Sequence, residues 1–175
     1  MAHSIELLLD LDSDAAIRRT WDALADAGLP SQARVTTPTN RPHITLTVAD
    51  RIAPDVDALL SPLHERLPFG CVVGAPLLFA GSRFTLARLL VPSADLLSLH
   101  EQVYRSCLPH MAPGPAPHCA PGRWTPHVTL CRRIGPDQLA PAFALLRDVS
   151  GDVDAAVVGL RRWDGDARVE HVLIS

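Results

Sequence analysis

The chain has 175 residues, 47% apolar and 20% charged, the balance of one globular domain or of two small repeats sharing a core, which excludes a disordered chain and a fibre. A formal net charge of −3 excludes a generic nucleic-acid coat, which needs a basic excess to displace counterions. All 16 basic residues are Arg, so a Walker A lysine, a Schiff-base lysine and an adenylated lysine are excluded together.

In chain order, the apolar run from Ile5 to Leu11 predicts a buried strand. Asp12 or Ser13 is expected to cap a helix carrying Ile17, Trp21 and Leu24, stopped at Gly28. A polar loop with Pro30, Pro38 and Asn40 leads to the strand Pro42–Val48. Pro54 opens a second helix with Val56, Leu59, Leu60, Leu63 and Leu67 on one face. Phe69 to Phe79 reads as a strand, with a bulge or an edge at Gly74 and Pro76. The order then recurs about 80–85 residues later. Phe84–Val91 is a strand, Ser93 caps a helix bearing Leu96, Leu99, Val103 and Cys107, and a Pro-rich segment from Pro109 to Pro121 follows as a lid, a specificity loop or a rigid connector. Pro126–Cys131 is a strand, about Asp137 to Val149 a helix, and Val153–Leu160 and Val169–Ile174 are strands. The architecture is α/β or α+β in one domain, with pseudo-repeats of about 1–81 and 82–175.

The repeat preserves chemistry. Pro42-His43-Ile44-Thr45-Leu46 returns as Pro126-His127-Val128-Thr129-Leu130, a recurrence expected by chance on the order of 0.005 times at this composition. A duplicated core strand explains Ile44, Leu46, Val128 and Leu130. It does not explain His and Thr, which are costly on a buried face without partners. Alternation along a strand puts His43 and Thr45 on one face and the aliphatic residues on the other, and the same holds for His127 and Thr129. Two such pairs facing one cleft suit phosphoryl transfer at a ribose. One neutral imidazole accepts a proton from water, one imidazolium donates to the departing oxygen, and two hydroxyls hold the non-bridging oxygens.

Two H-x-T motifs at this spacing, each on a strand of a duplicated lobe, resemble the 2H phosphoesterase superfamily, and within it the 2′-5′ RNA ligase or RNA 2′,3′-cyclic phosphodiesterase branch. The resemblance implies a bilobal fold with antiparallel sheets lining a central cleft. It also implies opening of 2′,3′-cyclic phosphates to 2′-phosphates without a metal or cofactor, with His43 as general acid and His127 as base. The family's H-x-T-L-x-R pattern is matched by His127 to Arg132. Strict alternation favours Arg133 on the face of His127 instead, and a small bulge would restore Arg132. Arg41 and Arg123 precede their motifs at the parity of the histidines and are expected either to charge the cleft mouth or to be ordinary surface residues. The family's base-stacking aromatic in the first strand is missing; Trp124, Phe84 and Trp163 are replacements, or core residues.

His110, His118 and Cys119 match no metal template, His64 and His100 read as surface or boundary residues, and His3 and His171 have no partner in sequence. The cysteines Cys71, Cys107, Cys119 and Cys131 form no C-x-x-C pair, and no signal-like or membrane-length segment is found. A reduced, cytoplasmic, monomeric protein acting on RNA ends or small nucleotides is expected. Three readings fit: a cyclic phosphodiesterase, an ATP-independent ligase running the same chemistry backwards, and a binding module for phosphorylated RNA ends or nucleotides.

Overall fold

A computed structural model describes residues 2–149 and 151–175, without the side chains of Asp148 and Val149. The strands are β1 (His3–Leu9), β2 (His43–Ile52), β3 (Phe69–Phe79), β4 (Phe84–Leu90), β5 (Met111–Pro115), β6 (His127–Ile134), β7 (Val153–Asp164) and β8 (Val169–Ile174). The helices are α1 (Leu11–Asp26), α2 (Val56–Leu60), α3 (Ala94–Cys107) and α4 (Leu139–Val149). The fold is α+β and every pairing between strands is antiparallel.

The duplication is visible in the strand pairing, where the third strands of the two repeats are exchanged. β1 pairs with β2 and with β7; its counterpart β4 pairs with β6 and with β3. Equivalent strands meet twice across the pseudo-twofold axis, β2 with β6 at Ile44–Val128 and β3 with β7 from Phe69–Val157 to Val73–Val153. The spatial lobes are therefore not residues 1–81 and 82–175: β3 lies beside β4, and β7 beside β1. The helices cross in the same sense, α1 packing on β6 and β7 and α3 on β2.

Apolar alternation fixes the faces of the motif strands. Ile44, Leu46, Val128 and Leu130 are fully buried, while His43, Thr45, His127 and Thr129 stay half-buried on the other face. β1 is buried along its whole length because β2 and β7 flank it and both its faces are covered.

Several boundaries differ from the sequence reading. β1 stops at Leu9 because Asp10, not Asp12 or Ser13, caps α1, its carboxylate accepting from the Ser13 N–H at 3.0 Å and the Ser13 hydroxyl at 2.7 Å. Leu11 thereby becomes the first helical residue and is 87% exposed. The second helix is only five residues long and passes into a 3₁₀ stretch, Ser61–Arg66, because Pro62 has no N–H to continue α-helical bonding. Val56, Leu60 and Leu63 are still buried, but Leu59 is 50% exposed. The Pro-rich segment contains β5, which pairs with β2, so that part of it is tied into the sheet. The register shift between Val73 and Pro76 is the expected bulge. β7 runs four residues past Leu160, carrying Arg161 and Arg162 into the interior.

Candidate active site

The pairing of Ile44 with Val128 sets His43 across from Thr129 and Thr45 across from His127. The two histidines are then diagonal neighbours, close enough for the charge of His43 to act on His127. The β2–β6 ladder is limited to that single pair, and beyond it two tryptophans supply donors to the strand backbones. Trp124 donates from its indole N–H to the Thr45 carbonyl at 2.9 Å, and Trp21 donates to the Thr129 carbonyl at 3.0 Å. Each motif threonine is thus held by a tryptophan from outside its own strand.

The imidazoles are held alike. His43 Nδ1 lies 2.7 Å from the Arg41 carbonyl and His127 Nδ1 lies 2.7 Å from the Thr125 carbonyl. A carbonyl oxygen only accepts, so both Nδ1 atoms carry hydrogen and donate, leaving Nε2 of each ring for proton exchange. Their surroundings differ. The Phe79 ring sits 4.6 Å from that of His127. Burial lowers the His127 pKa below the ordinary value, and the charges of His43, Arg132 and His118 lower it further against the opposing Thr125 carbonyl. His43 Nε2 instead lies 3.7 Å from a carboxylate oxygen of the buried Glu6. Burial alone would raise the Glu6 pKa, but the charges of His43 and Arg161 and the hydrogen bonds from Ser4 and Arg161 outweigh it, and the pKa is lowered.

Two adjoining cavities form the cleft. One, about 380 Å³, is lined by His127, Thr129, Phe79, His118, Arg123 and Trp124. The other, about 480 Å³, is lined by His43, Glu6, Asn40, Arg161 and Trp163. Thr45 and Arg132 line both and mark where they join. Arg132 reaches this junction because the β4–β6 register shifts twice between Phe84 and Ala87 and Arg133 takes a left-handed φ of 61°, so the bulged strand brings the exposed Arg132 to the cleft while Arg133 lines neither cavity. Arg123 lines the first cavity. Arg41 lines neither, because its guanidinium is engaged by Glu170 at 2.7 Å; its contribution to the site is the carbonyl that holds His43.

Of the aromatic candidates, Trp163 lines the second cavity and Phe84 packs against the core. Trp124 is already stacked on His100, with centroids 4.0 Å apart. His100 is 2% exposed, in contrast to the expected surface or boundary position, and its Nε2 donates to the Cys119 carbonyl at 2.9 Å. His64 is exposed, as read from sequence. His118 and Cys119 lie on the cavity wall, and among the described residues no three His, Cys, Asp or Glu side chains are grouped to hold a metal ion. No helix among them is long and apolar enough to cross a membrane.

Sequence reasoning missed Glu6, Arg161 and Phe79. The signal for the first two was present: an acid inside an apolar strand and a basic pair ending another are charges that a packed sheet tolerates only as partners.

The 2′-5′ RNA ligase superfamily model matches residues 12–167. Solved structures align over 99% of the chain: TT0787 of Thermus thermophilus (17% identity, TM-score 0.60, 95% of that chain), apo LigT of E. coli (17%, 0.57, 94%) and Usb1 of Kluyveromyces marxianus with uridine monophosphate (13%, 0.50, 97%). No curated protein sequence matches closely enough to count as a relative. With the family model spanning most of the chain, and two His-x-Thr strands meeting at the axis of a duplicated fold, the chain belongs to the 2′-5′ RNA ligase superfamily of 2H phosphoesterases.

Proposed function

We propose that the protein opens 2′,3′-cyclic phosphates at RNA ends or on small nucleotides to 2′-phosphates, with His43 as general acid and His127 as general base. The observation that carries this reading is the pair of Nδ1-anchored imidazoles, His43 with Nε2 beside the Glu6 carboxylate and His127 beside the Phe79 ring, in two cavities that join at Thr45 and Arg132. A water beside His127 loses its proton to Nε2 and attacks phosphorus. The P–O3′ bond opposite breaks, and O3′ takes the proton from His43 Nε2, leaving a 2′-phosphate. Thr45, Thr129 and Arg132 are assigned to the non-bridging oxygens, where charge accumulates. The imidazoles supply both proton transfers, so the mechanism requires no metal. Nucleotides in the same fold, 3′-AMP with LigT and uridine monophosphate with Usb1, support a nucleotide substrate. Four buried free thiols suit a reducing compartment.

The reverse reaction is the second reading. The cavity beside His127 holds about 380 Å³, far more than the roughly 30 Å³ of one water, so a 5′-hydroxyl could enter where water does. Without lysine, ligation must join that hydroxyl to the cyclic phosphate directly.

The test is hydrolysis of a 2′,3′-cyclic mononucleotide in EDTA. Wild type is expected to turn over, and His43→Ala and His127→Ala each to lose about 10²–10⁴-fold in kcat. Activity that EDTA abolishes, or that both variants retain, overturns the mechanism. Tight binding without turnover promotes the binding-module reading.

A further inference from the structure

A pseudo-twofold fold should give its two histidines equivalent neighbours, and at one place it does not. Glu6 lies opposite Thr45 in the β1–β2 ladder, and Arg161 lies opposite Glu6 in the β1–β7 ladder. In the other half Ala87 lies opposite Thr129, and Leu77 lies opposite Ala87. Ala87 and Leu77 are thus the counterparts of Glu6 and Arg161. One histidine has a carboxylate and a guanidinium behind its strand, and the other has two aliphatic groups.

We propose that Glu6, held by Arg161, is a positioning residue that presents to His43 Nε2 a carboxylate His127 lacks, and so decides which of the two histidines is the acid. The proposal rests on the two-histidine reading above. A buried carboxylate with no counter-charge would take up a proton; Arg161 prevents this by donating from Nε at 2.8 Å and from a terminal nitrogen at 2.7 Å, both to one oxygen of Glu6. The other oxygen is left for the Ser4 hydroxyl at 2.6 Å and for His43 Nε2 at 3.7 Å. The remaining guanidinium nitrogen of Arg161 goes to Glu170 at 2.7 Å, and the second oxygen of Glu170 holds Arg41, whose carbonyl anchors His43 Nδ1. The chain of contacts therefore closes on His43 from both ring nitrogens.

The other titratable groups facing His43 across the cleft are basic. Arg132 borders the same cavity from β6, and His127 on that strand interacts with it electrostatically. Within this positive cleft Glu6 is the carboxylate in reach of Nε2, while Glu170 is turned to Arg161 and Arg41. A purely structural Glu6–Arg161 pair would close β1 onto β7 equally well without leaving an oxygen for the ring.

The experiment compares wild type with Glu6→Gln and with Glu6→Ala/Arg161→Leu. The double variant copies the Ala87–Leu77 arrangement and leaves no buried guanidinium unpaired if the single variant fails to fold. The His43 titration is followed by NMR on histidine-labelled protein, assigned with His43→Asn. The pH profile of kcat/KM is measured on 2′,3′-cyclic CMP. The His43 midpoint is expected to fall by about one pH unit or more, and the basic limb of the profile to move down with it while the acidic limb holds. Activity at pH 8 should then drop about tenfold or more relative to that at pH 6. An unchanged His43 midpoint in a folded variant overturns the proposal. A wild type that does not hydrolyse the cyclic nucleotide, yet whose His43 midpoint falls when Glu6 is removed, overturns the catalytic reading alone and leaves the charge placement standing.

Discussion

In the role of base proposed for it, His127 must be neutral to accept a proton from water, and its surroundings favour that state. Burial disfavours the imidazolium, and the Phe79 ring 4.6 Å away is part of that burial. The acidic limb of the rate profile should therefore lie below the ordinary histidine value of about 6.5. Phe79→Ala re-admits water and raises the His127 pKa, so its acidic limb moves up: kcat/KM at pH 5.5 falls more than at pH 7.5. A parallel loss at both values would show that Phe79 acts on something other than this proton. The same lowered pKa has a consequence for stability. The unfolded chain takes up the proton first, so His127 costs stability as pH falls from about 6.5 towards its folded value and has no effect above that window. The His-Thr residues were legible because duplication repeated them, and Arg132 only through the H-x-T-L-x-R pattern of the family the chain resembles, since strand alternation by itself favoured Arg133. Phe79 was not, and Glu6 and Arg161 were legible only as charges in need of partners, since which partners they meet depends on which strands become neighbours after folding.

Elements were legible wherever local chemistry alone decides them, as at Ser93, whose hydroxyl accepts from the Leu96 N–H. Where two demands compete the sequence was ambiguous, and Asp10 shows why. Acids and a serine crowd the start of α1, and the one chosen as cap is the one that also satisfies the sheet. Asp10 accepts from the Ser13 N–H and hydroxyl and, at 2.7 Å, from the Ala156 N–H of β7. Its pKa is lowered because those hydrogen bonds outweigh burial, which acts in the opposite direction. Asp10→Ala leaves three donors without an acceptor and is expected to cost about 2 kcal/mol, read from the urea midpoint at constant m-value. Asp12→Ala, exposed within the first turn, should cost no more than about 0.5 kcal/mol. Equal losses would remove Asp10 from the junction between helix and sheet. The extension of β7 was missed for a related reason: Arg161 and Arg162 end its apolar run, and only their partners Glu6 and Asp57 allow the strand to continue inward.

At the scale of the whole molecule, the meeting of β2 and β6 at Ile44–Val128 explains how a chain with a net charge of −3 can keep a basic site, since it gathers His43, His127 and Arg132 from strands that are distant in sequence. Exchange of the third strands sets how the protein can come apart. In residues 1–81 alone, β1 would have β2 but lack β7, and β3 would lack both of its neighbours, β4 and β7. In residues 82–175, β4 and β6 would pair but lack β3. Each fragment would expose apolar edges that the other normally covers, including a β1 that is buried throughout. Separately expressed fragments should therefore show no cooperative urea transition by far-UV circular dichroism. Mixed in equal amounts, they should recover a transition and also cyclic-nucleotide hydrolysis, since each carries one His-Thr pair. A cooperative transition in either fragment alone would mean that a repeat can fold on its own strands, and that the exchange joins two finished lobes without completing them.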